Sequence, residues 1–137
     1  MFETFGHTAD LGLRVAAPDR TALFTEAARG LLSMLVENPE SVRPVQDQSL
    51  SLTGDDIEYL LFDWLSELLY RFETQHFLAS RFELNWTEAG LEARASGETV
   101  DRSRHQSAHE VKAITYHDFV VRQTTDGRWE AELIVDI

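Results

Sequence analysis

Eight apolar residues, Ile57, Leu60, Leu61, Trp64, Leu65, Leu68, Leu69 and Phe72, recur at spacings of three and four in one short stretch. Only an α-helix brings positions so spaced onto one side. The pattern predicts a helix from about Asp56 to Glu73, and a seam this complete must be covered by the rest of the chain. Asp55 and Glu58 have the N-cap and N3 spacing of a capping box, with Asp in place of Ser or Thr. Asp56, Asp63, Glu67 and Arg71 lie largely outside the seam and read as a solvated face.

A second helix is predicted from about Arg20 to Val36. Asp19 after Pro18 is its N-cap. Phe24, Ala27, Ala28, Leu31, Leu32 and Leu35 make its apolar stripe, and Asn38-Pro39 ends it. The remaining segments alternate at period two. Asp10 to Ala16 sends Leu11, Leu13 and Val15 inward. Gln48 to Leu52 places Leu50 and Leu52 on one face. Phe77 to Trp86 and Gly90 to Ser96 read as a hairpin. Val111 to Gln123 and Arg128 to Val135 read as another, turning at Thr125-Asp126-Gly127. The order is strand, helix, strand, helix, then a run of strands. It predicts an α+β fold with two helices packed on a mainly antiparallel sheet. No repeat or linker divides the 137 residues, so a single domain over 1–137 is expected.

The formal net charge is −12. A protein that grips nucleic acid on its own neutralises phosphates with Lys and Arg, and this one would repel a polyanion over most of its surface. A basic protein partner or a cation is easier to accommodate. The chain has no cysteine, which excludes disulfides, thiolate zinc sites and a cysteine nucleophile. Near the N-terminus there is neither a basic nor an apolar leader region, so the expected location is the cytoplasm. No GxSxG, glycine-rich phosphate loop or HExxH is present.

Three segments carry polar groups suited to chemistry. His7-Thr8-Ala9-Asp10 leads into an apolar strand; it reads either as a turn capped by Thr8 or Asp10, or as a strand end that offers Asp10 as a hard oxygen ligand. Ile134-Val135-Asp136-Ile137 ends an apolar strand in an acid followed by the α-carboxylate of Ile137. The alternatives there are a frayed tail and a carboxylate cluster. If that strand lies beside the one starting at Asp10, three carboxylates gather. Like charges so close call for a cation or a proton. Oxygen-only ligands favour Mg²⁺, Ca²⁺ or Mn²⁺ over zinc.

The third segment runs from His109 to His117 and holds Lys112, the single lysine of the chain. As a strand it would put Lys112, Ile114 and Tyr116 on one face. Lys112 is then an edge-strand guard or a positioned cation. His105 and His109 are four apart in a loop-like stretch, which does not make a helical metal pair.

Taken in order, these segments are specific. His7-Thr8-Ala9-Asp10, then Glu58-Tyr59-Leu60-Leu61-Phe62-Asp63-Trp64, Gly97-Glu98, Val111-Lys112-Ala113-Ile114-Thr115-Tyr116-His117 and the terminal Val135-Asp136-Ile137 resemble the archease family over nearly the whole chain. The resemblance implies an α+β sandwich around a strand-helix-strand-strand module. It implies an accessory protein, not an enzyme, that promotes the metal- and GTP-dependent guanylylation and repeated turnover of an RtcB-type RNA ligase in tRNA splicing or RNA repair. The metal-site acids of the family fall on Asp10 and Asp136, with the Ile137 carboxylate as a further ligand. The motif lysine falls on Lys112. His7 and Glu98 are expected contacts to the partner or a phosphate, with Glu98, Asp101, Arg104 and His109 placed in a loop before the Lys112 strand. The implied cofactor is a divalent metal, Ca, Mg or Mn, with no organic group. Two other functions fit the residues: a chaperone-like adaptor in which the acids are structural, and a metal-dependent phosphoesterase built on the acids and Lys112.

Overall fold

A computed structural model describes every residue except 8 and 9, and of His7 it describes the backbone. Thr8 as a turn cap and the expected contact of the His7 side chain therefore lie outside the described residues.

Among the described residues, two α-helices and eight strands follow one another as β1 (Phe2–His7), β2 (Asp10–Ala17), α1 (Arg20–Leu35), β3 (Gln46–Thr53), α2 (Ile57–Gln75), β4 (Phe77–Trp86), β5 (Gly90–Thr99), β6 (Ala113–Ile114), β7 (Val120–Gln123) and β8 (Trp129–Asp136), with a single 3-10 turn at Pro39–Ser41. The fold is α+β, as expected, and every strand pair is antiparallel. The strands divide into two sheets. One has the order β1-β2-β8, with β6 and β7 both on the far side of β8; the other has the order β3-β5-β4.

The helices lie between the sheets. α1 touches β1, β2 and β8 of the larger sheet and β4 of the smaller; α2 touches β3, β4 and β5, and also β6 and β7. Covered from both sides, α1 buries Leu23, Phe24, Ala27, Ala28, Leu31, Leu32, Met34 and Leu35, more than a single stripe. Gly30 lets it approach β2, because a Cβ there would press on Leu13. Trp64 of α2 is fully buried and its indole N–H donates to the Phe24 carbonyl at 3.0 Å, which fixes one helix against the other.

Three expectations need correction. The N-cap of α2 is Asp56, whose Oδ1 accepts from the N–H groups of Glu58 and Tyr59 at 2.9 and 3.3 Å; Asp55 lies outside and there is no capping box. With Asp56 as N-cap, Glu58 sits at N2, too early to reach back. The segment from Val111 to Gln123 is not one strand. It breaks into β6 and β7 around residues 115–119, where Asp118 has a left-handed φ of 56°. Phe119 is buried and Tyr116 exposed, so burial of an aromatic ring overrides the period-two pattern. Finally, Glu98 is not in a loop: β5 runs on to Thr99, and Glu98 is buried.

Candidate functional site

Strand register does most of the positioning. β2 and β8 run antiparallel with Leu13 opposite Leu133 and Val15 opposite Ala131, both pairs buried toward the helices. That register places Asp10 directly opposite Asp136. The neighbouring pairs extend the row: His7 is opposite Asp10 on β1, and Ala113 is opposite Asp136 on β6. Residues directly opposite in a sheet project to the same face. Since Leu133 and Val135 face the core, Asp10 and Asp136 project from the outer face, at one end of the sheet. On that face Gly12 is required by close approach, because a Cβ there would overlap the Phe5 ring.

The two acids differ in exposure. Asp136 is exposed and Asp10 is half-buried. Ile137 follows half-buried, its side chain packed against the core, so the end of β8 is held down. Lys112 immediately precedes β6. Its backbone N–H donates to the Asp136 carbonyl at 2.8 Å, while its side chain is exposed. The structure thus brings Asp10, Asp136, Ile137 and Lys112 together through β2, β8 and the start of β6. Among the described residues, no group of three or more His, Cys, Asp or Glu side chains forms a metal cage. Two opposed carboxylates still match the donor chemistry of a hard cation, whose remaining positions water can fill.

Glu98 is engaged in a different network. One carboxylate oxygen accepts from the Arg104 guanidinium, and the other from the Arg43 backbone N–H at 2.6 Å. Burial raises the carboxyl pKa, but these donors and His105 outweigh burial and hold it below its ordinary value. His105 is buried, and its Nδ1 accepts from the Asp101 N–H at 2.9 Å. Its Nε2 lies 3.3 Å from Glu98 Oε2 but is not aligned for a hydrogen bond. Arg104 also reaches Asp101 Oδ2 at 3.3 Å and the Ser41 carbonyl at 3.1 Å.

This network staples segment 100–112 to the end of α1. Asn38 donates to the Arg104 carbonyl and accepts from the Gln106 N–H. The N–H groups of Ala108 and His109 cap the Leu35 and Met34 carbonyls at 3.0 and 2.9 Å, satisfying groups that a helix end leaves open. The same segment then delivers Lys112 to Asp136. The geometry gives Glu98 a positioning role and leaves its side chain turned inward. His109 is exposed and His105 buried, so the two do not act as a pair.

Sequence reasoning did not single out a cluster of rings between α2 and the segment after β6. Tyr116 stacks on Tyr59 at a centroid distance of 5.4 Å and on Phe119 at 5.7 Å, and Phe62 meets both Tyr116 and Phe119 edge-on. The Tyr116 hydroxyl donates to Glu58 Oε1 at 2.8 Å. Partial burial and this carboxylate push the phenol pKa well above its ordinary value. The signal available was Tyr59, placed outside the seam of α2.

The fold and site define a class: a small α+β sandwich with paired acids at one end of its larger sheet. The model of the archease protein family matches residues 2–137, and the chain belongs to that family. It is 36% identical to protein archease of Pyrococcus abyssi over 99% of this chain and 98% of the relative. It is 39% identical to protein archease of Methanopyrus kandleri over 99% of both. The solution structure of protein 1598 of Methanobacterium thermoautotrophicum is similar with a TM-score of 0.80 and 29% identity, covering 99% of this chain and 98% of that one. The crystal structure of a Thermotoga maritima archease, described as a possible chaperone, has a TM-score of 0.69 at 16% identity over 98% and 96% of the two chains, and shares the fold.

Proposed function

We propose that this protein is an activator of an RtcB-type RNA ligase and promotes the metal- and GTP-dependent guanylylation of that enzyme. The reading rests on family membership, and the observation that supports it in this chain is the register of Asp10 against Asp136. Both carboxylates face one side, and the reading takes the Ile137 carboxylate as a further donor. A cation held there supplies positive charge and coordination for anionic oxygens such as those of a nucleotide phosphate. Lys112, held at the edge of the same row, offsets the acids or contacts a phosphate. The protein's own role is to orient these groups and dock. An acidic surface suits a basic ligase and does not compete for its RNA.

The test is GTP-dependent guanylylation of the cognate ligase in limiting Mn²⁺ or Mg²⁺, with and without this protein. Acceleration is expected from the wild type and at least a ~10-fold loss of it from Asp136→Asn, the size of effect that removal of one metal-site donor brings. If Asp136→Asn accelerates the ligase as well as the wild type, the acid pair is not the working site. The description of the Thermotoga protein as a possible chaperone favours a second reading, a general adaptor. Association with many unrelated proteins and no acceleration of the ligase is the result that supports it.

A further inference from the structure

Two rings of the cluster around Tyr116 are exposed, where a core cluster would be covered. Tyr59 is 58% exposed and Tyr116 42% exposed, although both are stacked. Tyr70, further along the exposed face of α2, is also 58% exposed. Exposed apolar residues scattered singly are ordinary, but stacked rings at one spot mark a contact surface.

The segments that carry these rings are acidic, with Arg71, Lys112 and Arg122 at their flanks. Segments 54–70 and 113–121, which carry Tyr59, Phe62, Tyr70, Tyr116 and Phe119, contain Asp55, Asp56, Glu58, Asp63, Glu67 and Asp118, and no Lys or Arg. Asp55, Asp63 and Asp118 are exposed, as is His117, which lies 3.2 Å from Asp118. Along the chain, Tyr116 follows Ala113 by three residues, and Ala113 stands opposite Asp136, so at most about 11 Å of chain lies between Tyr116 and that strand position.

We infer that the Tyr59–Tyr116 stack and its acidic rim form the docking surface for an arginine-bearing stretch of the protein partner. Arginine fits better than lysine. Its planar guanidinium lies flat on a ring face and forks a carboxylate at once, whereas an ammonium group is a compact, strongly hydrated charge. Tyr59 offers the ring face and Glu58 and Asp63 the carboxylates. Tyr116, tied by its hydroxyl to Glu58, keeps the stack in place.

The inference takes its partner from the proposed ligase function, and the test separates the two. Binding of wild-type protein to the purified cognate ligase is measured by titration, together with guanylylation at saturating protein. Tyr59→Ala is expected to raise Kd about 10- to 30-fold, as loss of a central aromatic anchor does, with acceleration at saturation unchanged. Tyr59→Phe, which keeps the ring, should bind like the wild type. An arginine-rich peptide should displace the ligase at lower concentration than a lysine peptide of equal charge. Tyr59 is exposed, so unaltered thermal unfolding of both variants is expected. If Tyr59→Ala binds as tightly as the wild type, or the two peptides compete equally, the docking surface is refuted while the activator function stands. If the wild type neither binds nor accelerates the ligase, the proposed function fails and this partner fails with it.

Discussion

At the scale of single residues, the sharpest contrast lies between two kinds of carboxylate. Asp136 is exposed and opposite another acid, where a cation or partner can reach it. Glu98 is buried and answered by Arg104, Arg43 and His105. Because its folded pKa is depressed, Glu98 contributes stability that is fully present above the ordinary glutamate range of about 4 to 5. That contribution is lost as pH falls through the lower folded value. Glu98→Gln is expected to lower unfolding free energy at pH 7 by about 2 kcal/mol, below the usual cost of breaking a buried pair because Arg104 is partly exposed. The variant should also show a shallower loss of stability in acid. Urea unfolding at pH 7 and near pH 3.5 checks both; equal stabilities at pH 7 would remove Glu98 from the framework. The acid pair was legible in sequence because one apolar strand begins with Asp and another ends with it. The role of Glu98 was not, since its partners Arg43 and Arg104 are brought to it only by the fold.

At the scale of elements, the chain was legible where apolar spacing was long and regular. Both helices and the β4–β5 hairpin follow from such spacing. Legibility failed where several short-range choices compete. Asp55 and Asp56 are adjacent candidate caps, and spacing alone favoured the wrong one. Asp56 takes the place because its extended backbone, with φ −92° and ψ 116°, aims Oδ1 at two open N–H groups. Asp56→Ala should therefore cost about 1 kcal/mol of stability, as loss of an N-cap does, and Asp55→Ala only a few tenths. Denaturant unfolding of the two variants side by side decides this; the reverse order would restore the capping box. The β6–β7 break failed for a different reason. Local alternation predicts one strand, but Phe119 reaches the core and Tyr116 joins Tyr59, contacts set by α2 and far away in sequence. The same break makes the exposed stack, so an error in reading the strand hid the ring surface.

At the scale of the whole molecule, charge and topology work together. The chain carries −12, and acids of α2 and of the 115–119 loop lie on the segments that carry the Tyr59–Tyr116 stack. A field of one sign steers a basic partner during approach, and it is screened within about 10 Å at 0.1 M salt. Contacts between stacked rings and guanidinium groups act only after arrival and depend less on salt. The two contributions therefore separate in kinetics. Between about 0.05 and 0.5 M salt, the association rate with the ligase should fall by at least about 10-fold, and the dissociation rate should change much less. Stopped-flow mixing followed by dilution measures each rate. Tyr59→Ala should do the opposite, raising dissociation and sparing association. If salt instead acts mainly on dissociation, the acids are in direct contact in the complex, and long-range steering is not what the negative surface provides.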